Sequence, residues 1–411
     1  MNYNMRILFL IQCFPFPPCD GISVKVYTLI RHLASKGWGC DILCFGNHDA
    51  GLRVAEFEKI AAGVKVRAVI PLPSTLERAF GTLSSLLKGL PPSFGGFKSR
   101  RFRAALEKIS AETGYDAAHY DVINMAQYLP FGPKVPSVLS SNDAISLFYS
   151  GMIKECSGIF RKAYLRLSAW LIRRFEAAYY KRFDKVHVVS EADAAHLKNI
   201  CPEINLEVIP LVVDKAFIDY KPQREHGQGK DAVRIVFTGN LAIPGIANGL
   251  FEFLDNAYAE LLSGASPFEF HILGPNASPE DEKRVLAFPG VKYLRWAKDY
   301  KAFLMTADIV LVLDKSGTGI KNRVLEAMAF GKPVVGTKIA FGGIAAENGR
   351  HCFISNSPQE TGAELKSLLT DTALREKIGA SARELILSSY SMAALGPQWE
   401  RLYKDIIPQK S

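Results

Sequence analysis

Apolar and polar positions along the chain alternate between two periods. Met5–Ile11 is a short, nearly unbroken apolar run, the pattern of a buried strand. It is followed by a Pro-rich turn and by a segment in which Val26, Tyr27, Ile30, Leu33 and Ala34 recur at helical spacing; Gly37 ends that helix, and Cys40–Phe45 reads as the second strand. Further on, the order is strand (Lys185–Ser190), helix (Glu191–Asn199), strand (Glu207–Asp214). Residues 221–232, KPQREHGQGKDA, interrupt the pattern with charge and glycine and read as a linker. Beyond them the alternation restarts: strand Arg234–Asn240, helix Gly249–Leu262, strand Phe268–Gly274, helix Pro279–Phe288, strand Val291–Trp296, helix Asp299–Ala307, strand Asp308–Asp314. Such alternation predicts two Rossmann-like α/β halves, each with a parallel sheet.

The stretch that carries chemistry is 314–337, DKSGTGIKNRVLEAMAFGKPVVGT. A strand enters a turn containing Gly317 and Gly319, and a helix follows with Val324, Leu325, Met328 and Ala329 on its apolar side. Gly331 stops it, and Pro333 opens the next strand. The turn must lie at the carboxyl end of a parallel strand, where such sheets bind ligands. Backbone N–H groups of Gly319, Ile320 and Lys321 at a helix start suit a phosphate, and Lys315, Lys321 and Arg323 add full charges. Glu326, one turn into the helix, either points to solvent or reaches back to a hydroxylated ligand.

The run G-T-G-I-K-N-R-V-L-E-A-M-A-x-G-K-P-V-V resembles the donor-site signature of GT-B glycosyltransferases of family four. The resemblance implies two Rossmann-like domains facing across a cleft, with an acceptor domain at 1–214, a nucleotide-sugar donor domain at 215–389 and a last helix at 390–411 returning to the first domain. It implies transfer of a sugar from a nucleotide diphosphate donor to a hydroxyl acceptor, with the anomeric configuration retained. Glu326 would accept hydrogen bonds from the ribose hydroxyls, and the loop backbone would hold the diphosphate. The donor-binding candidates are Gly21, Lys315, Gly317, Thr318, Gly319, Ile320, Lys321, Asn322, Leu325 and Glu326; the catalytic candidates are His119, Asp143 and Lys321. His119 falls where the family often carries a histidine near the donor sugar, although a lone histidine is also an ordinary polar residue. Asp143, at the end of a strand, fits either an acceptor-orienting carboxylate or a helix N-cap. Three departures stand out. Thr318 replaces the family's second glutamate, the segment after Thr238 lacks the usual Arg and Lys, and Leu211-Val212 replaces the Asn-Gly before Val-Asp. They leave two rival readings open: a degenerate transferase retained as a binding or scaffold protein, and a nucleotide-sugar epimerase on the same fold.

Composition narrows the partners. The 411 residues, 48% of them hydrophobic, suffice for two or three cores. No apolar run approaches the length of a membrane span, and no D-x-D motif suggests a metal clamp, so no cofactor and no metal are expected. Seven cysteines without a C-x-x-C pair suggest neither a disulfide framework nor a zinc site, and hence a cytoplasmic protein. The net charge of +9 is uneven: nine Lys or Arg against three acids between Gly151 and Lys185 hold two thirds of it. There Phe160, Tyr164, Leu167, Leu171, Phe175 and Ala178 step at helical spacing as an apolar stripe expected to pack the helix. Residues 71–108 also mix apolar bulk with positive charge, which fits a partly solvated helix pair or a membrane surface. The resemblance implies a nucleotide-sugar and a glycan or lipid-linked acceptor as partners; to these the charge pattern adds an anionic surface at the inner face of the membrane, with no nucleic acid expected.

Overall fold

The computed structural model describes residues 4–18, 21–60, 62–220, 232–264 and 266–408, so the predicted linker at 221–232 lies, but for its last residue, outside the described residues. The chain divides into two compact units. Unit 1 comprises residues 1–150, 163–212 and 395–411; unit 2 comprises 151–162 and 213–394.

Unit 1 is built on a seven-stranded parallel sheet: β1 (Arg6–Ile11), β2 (Gly39–Phe45), β3 (Val64–Ile70), β4 (Ala117–Asp121), β5 (Ser137–Asn142), β6 (Lys185–Val188) and β7 (Leu206–Val208), in the order β3-β2-β1-β4-β5-β6-β7. Every residue of β2 is buried and nearly every one of β1, which is why those runs read as continuous rather than alternating: helices cover both faces of the sheet. The order in which strands are added to the sheet reverses between β1 and β4, so the crevice at their carboxyl ends is the topological switch point.

Unit 2 repeats the plan with six parallel strands: β8 (Val233–Thr238), β9 (Phe268–Leu273), β10 (Val291–Leu294), β11 (Ile309–Val312), β12 (Val334–Thr337) and β13 (Phe353–Ser355), ordered β10-β9-β8-β11-β12-β13. Its switch point lies between β8 and β11. Helix Pro244–Asn256 lies close over the end of β11: a Cβ at Gly249 would sit 1.6 Å from the Leu313 carbonyl oxygen, and one at Gly245 would sit 2.1 Å from Ser316 Oγ. Only glycine permits that approach.

The last helix, Met392–Ile406, ends inside unit 1. Trp399, Leu402 and Tyr403 are buried there, the Trp399 ring lies 4.4 Å from the His187 ring, and Gly396 passes so close to His32 that any Cβ would overlap the imidazole. The long basic helix Ile159–Tyr179 corrects the sequence reading. Its buried side is Leu165, Ser168, Leu171, Ile172, Phe175 and Glu176, whereas Phe160, Tyr164 and Leu167 are at least half exposed. Of the expected stripe only Leu171 and Phe175 pack inward, because a serine and a glutamate hold the inner face.

Candidate active site

The β8/β11 switch point carries the Gly-bent loop. After β11, Asp314 turns into the interior and is almost fully buried, where its carboxylate pairs with the Arg323 guanidinium and its carbonyl accepts the Thr337 hydroxyl at 2.5 Å. The loop is therefore clamped at its base to the following helix and to β12. Gly317 (φ 138°) and Gly319 (φ 64°) take backbone conformations that residues with side chains rarely adopt, which folds Thr318 between them. The Lys321 ammonium donates to the Thr318 carbonyl at 2.6 Å and the Gly319 carbonyl at 3.1 Å, so it holds the bend from within. Lys315 pairs with Glu252 of helix Pro244–Asn256 at 3.0 Å.

Helix Asn322–Ala329 begins at Lys321 with no side-chain cap, whereas Ser278, Asp299, Ser357 and Asp371 cap four other helices of unit 2. The first bonds of the helix run from the Val324 and Leu325 N–H groups to the Lys321 carbonyl, and the N–H groups ahead of them suit an anion or water. Val324, Leu325, Met328 and Ala329 are buried as the periodicity requires. Leu325 accordingly faces the core, and a ligand could meet only its backbone.

Glu326 sits beside Tyr300, Lys301, Asp214 and Arg323. Burial pushes its carboxyl up to about 7, partly offset by the Tyr300 hydroxyl and the Lys301 and Arg323 charges and reinforced by Asp214. Thr238 at the end of β8 has its buried hydroxyl against that of Tyr300, and Thr318 Oγ1 is buried with no hydrogen-bond partner among the described residues. Such orphaned groups are uncommon in native interiors. The arrangement thus offers an uncapped helix start, a half-buried carboxyl poised near neutrality, and the unpaired hydroxyl of Thr318. Among the described residues, no group of three or more His, Cys, Asp or Glu side chains is placed to hold a metal ion.

Sequence profiles agree with this geometry. Residues 19–217 match the Glycosyltransferase Family 4 profile, and residues 232–371 match the profile described as Glycosyl transferases group 1. The chain is a GT-B-fold glycosyltransferase related to family 4. No curated protein matches this transferase in sequence. In structure it is similar over 99% of its length to all of a glycosyltransferase from Rickettsia africae, with a TM-score of 0.68 at 14% identity. It is similar over 98% of its length to the whole of the Anabaena HepE protein, solved in complex with UDP and glucose, with a TM-score of 0.67 at 16% identity. A third likeness is to a sucrose-phosphate synthase from Thermosynechococcus elongatus, TM-score 0.65 at 15% identity over 97% of this chain and 98% of that one. At such identities these likenesses speak for the fold.

The transferase's remaining candidates lie in unit 1. Gly21 opens helix Gly21–Ser35. Asp143 follows β5 and lines a cavity of about 260 Å³ with Gln12, Asn124, Asn142 and Tyr149, at the β1/β4 switch point. It is not the cap of the next helix in the way the sequence suggested as one choice: the Ala144 N–H goes to Asp193 and the Ser146 N–H to Glu176. Val122 and Asn142, both lining this cavity, hold positive φ values of 60° and 68°, a strain that clusters at functional sites. His119 is elsewhere. It is wholly buried under the last helix, its Nδ1 2.7 Å from the Tyr403 hydroxyl and its Nε2 3.9 Å from Asp121. Burial lowers its pKa, partly offset by Asp121.

Sequence reasoning missed Lys25 and Asp121. Lys25 is buried on helix Gly21–Ser35, and its ammonium reaches Asp121 at 2.5 Å, Ser140 at 2.6 Å and Asn142 at 2.7 Å. A lysine among Val26, Leu29 and Ile30 was the available signal. Tyr300 was also missed, and nothing in its local pattern marks it.

Proposed function

We propose that the protein transfers a sugar from a nucleoside diphosphate donor held by unit 2 to a hydroxyl of a glycan or lipid-linked acceptor held by unit 1, with retention of anomeric configuration. The observation that carries the reading is Glu326: a half-buried carboxyl behind an uncapped helix start, at the switch point of a parallel sheet. A ribose with two vicinal hydroxyls would satisfy that carboxyl, and the diphosphate would lie at the N–H groups of the Gly319–Asn322 segment. Charge develops on the diphosphate as the anomeric bond breaks, and the helix start with Lys321 would meet it there. In retaining members of this fold the donor phosphate is thought to take the acceptor's proton, so no protein nucleophile is assigned. Asp143 in the unit 1 cavity would orient the acceptor hydroxyl. His119, sealed beneath Tyr403, would act only by supporting Asp121 and the end of β4. A lipid-linked acceptor would require unit 1 to work at a bilayer surface.

Thermal unfolding with UDP, GDP and their sugars tests the reading first. A cognate nucleotide at a hundred times its dissociation constant should add about 2.7 kcal/mol. Glu326→Ala should remove most of that gain, whereas Lys321→Ala should lower turnover more than affinity. Product analysis by NMR then reads the anomeric configuration. Failure of every nucleotide to stabilise the chain would overturn the reading and leave the scaffold alternative. That alternative draws on Thr318 and on the pairing of Arg323 and Lys315 with acids of unit 2 itself.

A further inference from the structure

Helix Thr75–Leu87 in unit 1 is packed inside out. Its buried residues are Gly81 and Ser85, both small. A Cβ on Gly81 would lie 2.6 Å from the Gly95 carbonyl oxygen, and one on Gly95 would lie 2.1 Å from the Thr82 nitrogen, so the helix rests backbone to backbone on the turn Pro92–Phe97. Its large residues are turned outward instead. Leu76 (72% exposed), Phe80 (71%), Leu83 (55%) and Leu87 (81%) are spaced by four, three and four residues and form one stripe in water. Leu72 and Leu86 extend it. A helix normally hides such a stripe against the core; a contiguous exposed one marks a surface that something covers.

The charge around the stripe identifies the cover. Arg78, Lys88, Lys98, Arg100 and Arg101 are all exposed, and Glu77 is the one acid from Pro71 to Arg103. Its carboxylate accepts the Ser74 N–H at 2.7 Å within a capping box, at the helix start. Arg101 lies close enough to lower the Glu77 pKa further, Lys98 donates to Ser84 at 2.8 Å, and Lys88 is near enough to repel Lys98. Cations therefore flank the stripe near both ends. A second copy would set five like charges against five. An anionic headgroup layer would match them while the stripe enters the acyl boundary.

We propose that unit 1 docks on anionic lipid bilayers through the Leu76–Phe80–Leu83–Leu87 face. Vesicle binding is read without substrate, so its failure and failure of the donor reading are separate results.

The test is flotation of the full chain with phosphatidylcholine vesicles with and without phosphatidylglycerol. The chain should float with the anionic vesicles and stay in solution with the neutral ones. Phe80→Ser with Leu87→Ser should cut recovery roughly tenfold while leaving the melting temperature in place, since both residues are exposed. Arg100→Gln with Arg101→Gln, or added salt, should cut it several-fold. The proposal is overturned if the anionic vesicles recover no protein, or if both double variants float as the parent does. It is equally overturned if the chain forms a dimer that the Phe80/Leu87 variant dissolves, or holds a protein partner there, while vesicles leave it in solution.

Discussion

At the β1/β4 switch point of unit 1, Lys25 is surrounded by three oxygen acceptors and Asp121 has its cation at 2.5 Å. At the β8/β11 switch point of unit 2, Lys321 donates to the Thr318 and Gly319 carbonyls of its own loop, and the Tyr300 hydroxyl with the Lys301 and Arg323 charges does not outweigh the burial of Glu326. The two sites share a topology and bury an acid each, yet the acids respond in opposite directions. Burial would raise the Asp121 carboxyl, but Lys25 with His119 more than reverses that and holds it below the usual range. Burial dominates at Glu326 and pushes it up to about 7. A buried charge matched by a close cation serves structure, while a carboxyl whose neighbours do not offset its burial rests near neutrality, where further hydrogen bonds from a ligand can shift it.

The largest expected effect breaks the paired site. Lys25→Met leaves Asp121 as an uncompensated buried charge and should destabilise unit 1 by about 3–5 kcal/mol in urea unfolding. Lys321→Ala, at the other site, should cost no more than about 1 kcal/mol. Equal losses would mean that the two lysines play the same structural part. The pH response sharpens the same contrast. Asp121, with a lowered folded pKa, contributes stability that is present above its unfolded value and lost as pH falls. Glu326, with a raised folded pKa, contributes stability that is full below about pH 4.5 and lost as pH rises through about 7. Glu326→Gln removes that loss. The variant should gain on the parent by on the order of 2 kcal/mol between pH 5 and pH 8; a constant difference across that range would show that the carboxyl is ionised throughout.

A smaller effect tests what supports the loop. Gly249→Ala drives a Cβ into the Leu313 carbonyl and should cost about 1–3 kcal/mol and weaken nucleotide binding with it. Gly51→Ala, with nothing within 4 Å of its added carbon, should stay within about 0.5 kcal/mol.

Much of the fold was legible because parallel strands buried on both faces leave apolar runs, as in β1 and β2, and helices between them keep their period. The 314–337 unit was legible for a different reason: Gly317, Gly319 and Gly331 each mark a positive φ that side chains resist. What failed to show was any pairing between distant positions. Lys25 meets Asp121 across 96 residues, and Glu326 meets Tyr300 only because β8, β11 and their loops converge. The helix Thr75–Leu87, in a stretch read as a partly solvated helix pair or a membrane surface, shows the limit of periodicity. Leu76, Phe80, Leu83 and Leu87 have the spacing of a core-facing stripe, and only the close approach of Gly81 to Gly95 shows that the core lies on the other side. The periodicity did mislead at Phe160, Tyr164 and Leu167, read as part of a packing stripe, where Ser168 and Glu176 hold the inner face.

The smallest effect is also the most specific to Glu326. With its carboxyl at about 7, roughly half of the free protein carries the proton at neutral pH. Ribose hydroxyls donating to this group would favour its charged form, so nucleotide binding should expel about half a proton at that pH. Calorimetry in two buffers of different ionisation enthalpy measures the proton directly, and Glu326→Gln should abolish it while other groups keep theirs. Tight nucleotide binding with no buffer dependence would place the ribose away from this carboxyl, and the raised acid of unit 2 would then need a structural explanation like that of Asp121.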